Sequence, residues 1–96
     1  MAEVKLRSSR QQPLKPLVEA ALQNELRLLE VGAKRCQQKL DDFEKRHQLS
    51  TQEFIRRYEN NQIAETLEFA EWIGEHRLLE RLMEKVNTLR EIQFAD

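Results

Sequence analysis

Turn-forming residues are scarce: the 96 residues include only two glycines and two prolines. An all-β sandwich or barrel needs such punctuation every few residues, so those folds are excluded. A single cysteine rules out a disulfide framework and points to a reducing, cytoplasmic compartment. Apolar runs are short. None approaches the roughly 18–20 residues that a membrane span requires, and the opening residues lack the hydrophobic region of a secretory signal. Neither sign of charge is in excess, with 16 Lys and Arg against 17 Asp and Glu and a formal net charge of −1. The simplest electrostatic argument for binding nucleic acid or an anionic membrane is therefore missing. What the chain does have is helix formers: it is rich in Ala, Leu, Glu, Lys, Arg and Gln, and 34% of it is charged. That profile belongs to long helices or a coiled coil, and the length to one domain.

Residues 1–12 carry Lys5, Arg7 and Arg10 against a single Glu3, without helical periodicity. Val4 and Leu6 alternate with charged residues, as in a short edge strand. The expectation is nonetheless a basic flexible tail, because one four-residue strand has nothing to pair with. Residues 13–96 are expected to form one helical-hairpin domain. Pro13 and Pro16 stand where a helix can begin, since a first-turn proline gives up an N–H that would go unbonded there anyway. From about Leu14 to His47, the residues Leu22, Leu26, Leu29, Ala33, Cys36, Leu40, Phe43 and His47 follow at alternating steps of four and three. This heptad seam predicts a long helix packed against another helix.

Leu49-Ser50-Thr51-Gln52-Glu53-Phe54 then reads as a helix start. Ser50 and Glu53 have the spacing of a capping box, and Leu49 and Phe54 that of a hydrophobic staple. The short helix passes through Ile55 and Tyr58 and ends near Asn60-Asn61, because asparagine tolerates the left-handed conformation that terminates helices. A second long helix is predicted from about Gln62 to Gln93, with an apolar stripe through Phe69, Trp72, Ile73, His76, Leu79, Leu82, Met83, Val86 and Leu89. The expected fold is all-α. Two long helices fold back as an antiparallel hairpin around the short connector, where Phe43, Phe54, Tyr58, Phe69 and Trp72 gather.

Both long helices carry more apolar residues than one packing stripe uses. Leu17, Val18, Leu28, Val31 and Leu78 are the expected interface of a homodimer, in which two hairpins make a four-helix bundle. Residues 59–76 contain Glu59, Glu65, Glu68, Glu71 and Glu75 and no Lys or Arg. In a hairpin this acidic strip lies beside Lys34, Arg35, Lys39, Lys45 and Arg46, which is one use for it. The other is a partner-binding surface, formed by Glu65, Glu68, Glu71, Trp72 and Glu75, for a basic protein.

Chemistry-bearing patterns are sparse. Glu44 to His47 is the one Glu-x-x-His spacing, whereas a carboxylate-bridged di-metal bundle needs two with further inward glutamates. No metal, cofactor or catalytic residue is expected. Cys36 falls on the seam as a small apolar residue, His47 suits a helix C-terminus, and His76 lies on the second stripe. Gly32 and Gly74 stand alone within helical periodicity, which suggests close helix approach or packing beside Trp72 rather than a phosphate loop. A helix-turn-helix built from the short helix and its successor would present the acidic helix to phosphate, which argues against DNA binding by the helical body.

Two resemblances bear on function. Arg27-Leu28-Leu29-Glu30-Val31-Gly32-Ala33-Lys34-Arg35 is similar to the first-helix motif of the all-helical chorismate mutases, which implies a small dimeric enzyme with Arg and Lys around a dicarboxylate. The lysine falls one place early here, at Lys34, which turns it about 100° around the helix. A second resemblance covers residues 22–90: Leu40, Phe43, His47-Gln48-Leu49-Ser50, Glu53-Phe54 and Tyr58, then Glu71-Trp72 and a Leu-rich helix. This series resembles small helical prokaryotic proteins of toxin–antitoxin-like two-gene modules, on the antitoxin side. It implies a non-enzymatic helical partner that binds and occludes a cognate protein. That is the preferred reading, with the chorismate-mutase-like enzyme as its alternative.

Overall fold

The structure, a computed structural model, describes residues 2–5 and 14–95. In chain order it contains β1 (Ala2–Lys5), α1 (Leu14–His47), α2 (Thr51–Glu59), α3 (Leu67–Arg90) and β2 (Ile92–Ala95). The body is all-α: α1 packs along α3 as a long helical hairpin. Its residues pair antiparallel, Lys39 with Glu75 near the middle and Glu30 with Arg90 towards the far end. The shape is a rod of 60 × 21 × 18 Å with a radius of gyration of 19.0 Å. A compact chain of this length would have a radius nearer 12.5 Å.

The seam of α1 does what its spacing demands. Leu29, Ala33, Cys36, Leu40 and Phe43 are buried on it, while Leu22, Leu26 and His47 are partly covered. The helix ends where Gln48 takes a positive φ of 49° and the Leu49 N–H donates to the Glu44 carbonyl at 3.2 Å. A left-handed residue followed by a bond back across the last turn is a Schellman closure, made here without glycine. α2 closes in the same way. Asn61 has φ 56°, its N–H donates to the Tyr58 carbonyl, and the Gln62 N–H donates to the Arg57 carbonyl at 2.8 Å.

The capping box at α2 forms only by half. The Ser50 hydroxyl accepts from the Glu53 N–H at 3.1 Å, but the Glu53 carboxylate turns outward to Arg56 and Arg57. Three bonds from two guanidinium groups, charged on both sides, outweigh a single bond from a neutral backbone N–H.

The start of α3 differs from the expected Gln62. Closing α2 engages Gln62, and the helix begins only after Thr66, whose hydroxyl accepts from the Phe69 N–H at 3.1 Å. Its end also differs: the chain leaves the helix at Arg90 and enters β2. That strand answers the objection to an N-terminal strand. Ala2–Lys5 is not a frayed tail but pairs in parallel with Ile92–Ala95, in the register Ala2 to Ile92 through Lys5 to Ala95. Parallel strands need a long crossover, and here the whole helical hairpin provides it. The remainder of the expected tail, residue 1 and residues 6–12, lies outside the described residues.

The two glycines behave differently. A methyl on Gly32 would meet the Leu82 side chain at 3.4 Å, so this is a close approach between helices. Gly74 has nothing within 4 Å of its missing Cβ and lies exposed. The expectation of close packing is corrected there.

Candidate interaction surfaces

Trp72 is the centre of the connector end and is fully buried. Its indole stacks between Phe54, 3.9 Å away at 4° between planes, and Phe43, at 5.4 Å and 7°. His47 and Phe69 complete the ring around it. The indole Nε1–H donates to the Thr51 hydroxyl at 3.0 Å, and the Thr51 backbone N–H donates to the Glu44 carboxylate at 2.7 Å. Three elements thus meet through one polar chain within an apolar cluster: Glu44 on α1, Thr51 on α2 and Trp72 on α3. Thr51 is buried, and this arrangement keeps its polar atoms from being orphaned.

This burial corrects one expected partner-binding residue. Trp72 faces the core and cannot meet a partner. Of the acidic set around it, Glu68 is bonded to both Arg46 and His47, and Glu75 pairs with Lys39 at 3.2 Å. Glu65 and Glu71 are exposed. The strip is therefore divided, with Glu68 and Glu75 turned onto α1 and Glu59, Glu65 and Glu71 facing water. Of the basic residues expected beside it, Lys39 and Arg46 make these pairs, while Lys34, Arg35 and Lys45 are exposed.

The titration of these groups follows from their neighbours. Hydrogen bonds from Arg56 first and Arg57 second hold the Glu53 carboxyl at about 2, below its ordinary 4.5. Bonds from Arg46 and then His47 hold Glu68 below the usual range. A carboxylate with a depressed folded value stabilises the fold above its unfolded value, and that contribution disappears as pH falls through the folded one. The thermal midpoint should therefore drop as pH falls from 4.5 towards 2. Both groups are partly in water, so the effect is modest. Glu53→Gln combined with Glu68→Gln should make the drop shallower in circular-dichroism melts. An unchanged drop would show that other groups carry it.

Cys36 lies buried on the α1 seam, and burial followed by a hydrogen bond with Glu75 raises its thiol above the ordinary value. Glu44 of the Glu-x-x-His spacing is engaged by Thr51, and His47 lies against Trp72. His76 pairs with Glu80 at 3.2 Å. Among the described residues, no three His, Cys, Asp or Glu side chains gather to hold a metal ion. A groove of about 270 Å³ between α1 and α3 is lined by Lys39, Asp42, Phe43, Arg46, Glu71 and Glu75. Both of its cations are paired with glutamates. Arg27, Lys34 and Arg35, which carry the chorismate-mutase resemblance, are exposed on α1, and Arg27 donates to Asn24.

Of the five residues expected at a dimer interface, four lie on α1. Leu17, Leu28 and Val31 are 62%, 52% and 61% exposed, and Val18 is partly covered. With Ala21 and Asn24 they form a second row, Leu17-Ala21-Asn24-Leu28-Val31, at steps of four and three. It has the same heptad spacing as the buried seam but lacks a partner helix among the described residues. Leu78 belongs elsewhere. It is exposed on α3, on one helical face with Leu67 and Glu71 at steps of four and seven. Leu67, which the sequence also offers as a surplus apolar residue, lies 79% exposed at the first position of α3.

Among the described residues no helix is long and apolar enough to cross a membrane. No protein-family model, curated protein or solved structure matches the chain.

Proposed function

We propose that the chain is a non-enzymatic protein–protein interaction module that works as a homodimer and binds and occludes a cognate basic protein, like the antitoxin side of a two-gene module. The observation that carries this reading is the apolar row from Leu17 to Val31, exposed along a helix whose other seam is already packed. Overall surface supports it. The chain exposes 7647 Å², where a compact monomer of this mass would expose about 5,800 Å². Such excess is what association removes.

Two surfaces divide the work. The α1 row meets the second copy. The exposed side of α3, with Leu67, Leu78 and, at the rim of the α1–α3 groove, Glu71, joins Glu65 to offer a mixed acidic and apolar patch to the basic partner. Glu65 and Glu71 are suited to this because α1 does not engage them, unlike Glu68 and Glu75.

Light scattering of the pure chain should give twice 11.5 kDa at micromolar concentration; a monomer would overturn the dimer. Coexpression with the product of the adjacent gene tests the rest. The two proteins should copurify, and Glu65→Lys with Glu71→Lys should weaken the complex at least tenfold while leaving the dimer intact. A neighbouring protein that neither binds nor is inhibited would remove the occlusion reading.

A further inference from the structure

β1 and β2 have only each other among the described residues. Two parallel strands of four residues make a marginal sheet, and each leaves one row of backbone N–H and C=O groups without a strand. Such an edge is either blocked or used. Charged side chains are a usual block, and β1 carries two of opposite sign, which hinder an apolar or like-charged strand but suit one that sets Lys against Glu. Glu3 and Lys5 are both exposed, and being two apart they lie on one face. Their register neighbours on β2 are Gln93 and Ala95, so neither finds an opposite charge within the sheet.

The segment Glu3-Val4-Lys5 is complementary to itself when reversed. If two β1 strands run antiparallel about Val4, Glu3 of each copy stands directly opposite Lys5 of the other, and both pairs are attractive. A two-fold contact between identical edge strands is necessarily antiparallel, so symmetry supplies the orientation the charges require. The edge of β2, Ile-Gln-Phe-Ala, holds no charge to fix a register. Position agrees as well. Ile92 lines one groove with Glu19, Leu22 and Gln23 of α1, so the strand pair adjoins the half of α1 that carries the exposed apolar row.

We propose that the β1 edges of two copies pair antiparallel about Val4, giving a continuous four-stranded sheet across the dimer, with Glu3 and Lys5 as the pairing code. The inference rests on the homodimer reading and assigns it an edge and a register.

Charge reversal tests it on the full-length chain. Glu3→Lys leaves two lysines on each strand and Lys5→Glu two glutamates, so either variant alone should dimerise about tenfold more weakly by analytical ultracentrifugation. The double variant E3K/K5E restores both pairs and should return within about twofold of the parent. An equimolar mixture of the two single variants should form a heterodimer tighter than either homodimer. A dimeric parent whose single variants associate normally, or a mixture that shows no preference, overturns the edge pairing and leaves the homodimer reading standing. A monomeric parent removes the homodimer reading itself.

Discussion

Trp72→Ala should lower the melting temperature by more than about 10 °C. The indole is fully buried between two stacked rings, and α1, α2 and α3 all pack on it. Truncating a buried tryptophan costs about 3–5 kcal/mol through lost transfer energy and the cavity left behind. Domains of this size have roughly 5–14 kcal/mol in all. The rod has little else to draw on, since nine apolar residues are buried among those described, and four of them (Leu40, Phe43, Phe54 and Ile73) pack with Trp72 in one cluster.

Trp72→Phe separates the stack from the hydrogen bond. It keeps an aromatic ring between Phe43 and Phe54 but removes the donor to Thr51. It should therefore remain folded and lose about 1–3 kcal/mol, the cost of an unpaired buried polar group together with a smaller ring. Urea unfolding followed by far-UV circular dichroism measures both variants, because Trp72 is the only tryptophan for fluorescence. A loss below about 1 kcal/mol in the alanine variant would place the core elsewhere.

How much of this was legible in the sequence depended on range. The bounds of α1 and the start of α2 rest on signals within a few residues: an unbroken four-three seam, and the Ser50 hydroxyl three residues before the Glu53 N–H. Such signals survive folding because the local backbone alone satisfies them. α3 starts later than its pattern suggests because the polar run after Asn61 looks permissive for helix, whereas Gln62 is engaged in closing α2 and Thr66 is the cap. Both Glu53 and Trp72 show competition that spacing cannot resolve. Glu53 had a backbone N–H and two arginines within reach, and the arginines won. Trp72 adjoins Glu71 in sequence, yet a step of one residue turns about 100° around the helix, enough to separate an exposed carboxylate from a buried indole.

The strand pair was the least legible feature. Val4 alternates with charged neighbours and Ile92-Gln93-Phe94 alternates in the same way, but each segment has meaning only beside the other, 90 residues away. Charge pairing was intermediate. Complementarity placed the acidic strip beside the right basic segment, and Lys39–Glu75 and Arg46–Glu68 formed within it. Glu30–Arg90 arose outside it, because it depends on how far α3 extends along α1.

Leu28→Glu combined with Val31→Glu should convert the proposed dimer to a monomer without harming the monomer's fold. In one copy both side chains are more than half exposed, so a glutamate at either site creates no cavity and buries no charge. Glutamate is also a better helix former than valine, so the isolated helix should gain slightly. Across a two-fold interface the same changes act in the opposite direction. Four half-exposed apolar side chains lose their burial, about 1 kcal/mol each and about 4 kcal/mol together, which is roughly a thousandfold in Kd. Four carboxylates brought close to the axis add repulsion that salt screens. Sedimentation should therefore show a dimer for the parent and a monomer for the variant at the same micromolar concentration. The melting temperature of the parent should rise with protein concentration while that of the variant does not. A variant that stays dimeric would move the interface off this row. One that unfolds outright would mean that Leu28 and Val31 are covered within a single chain, in conflict with their exposure.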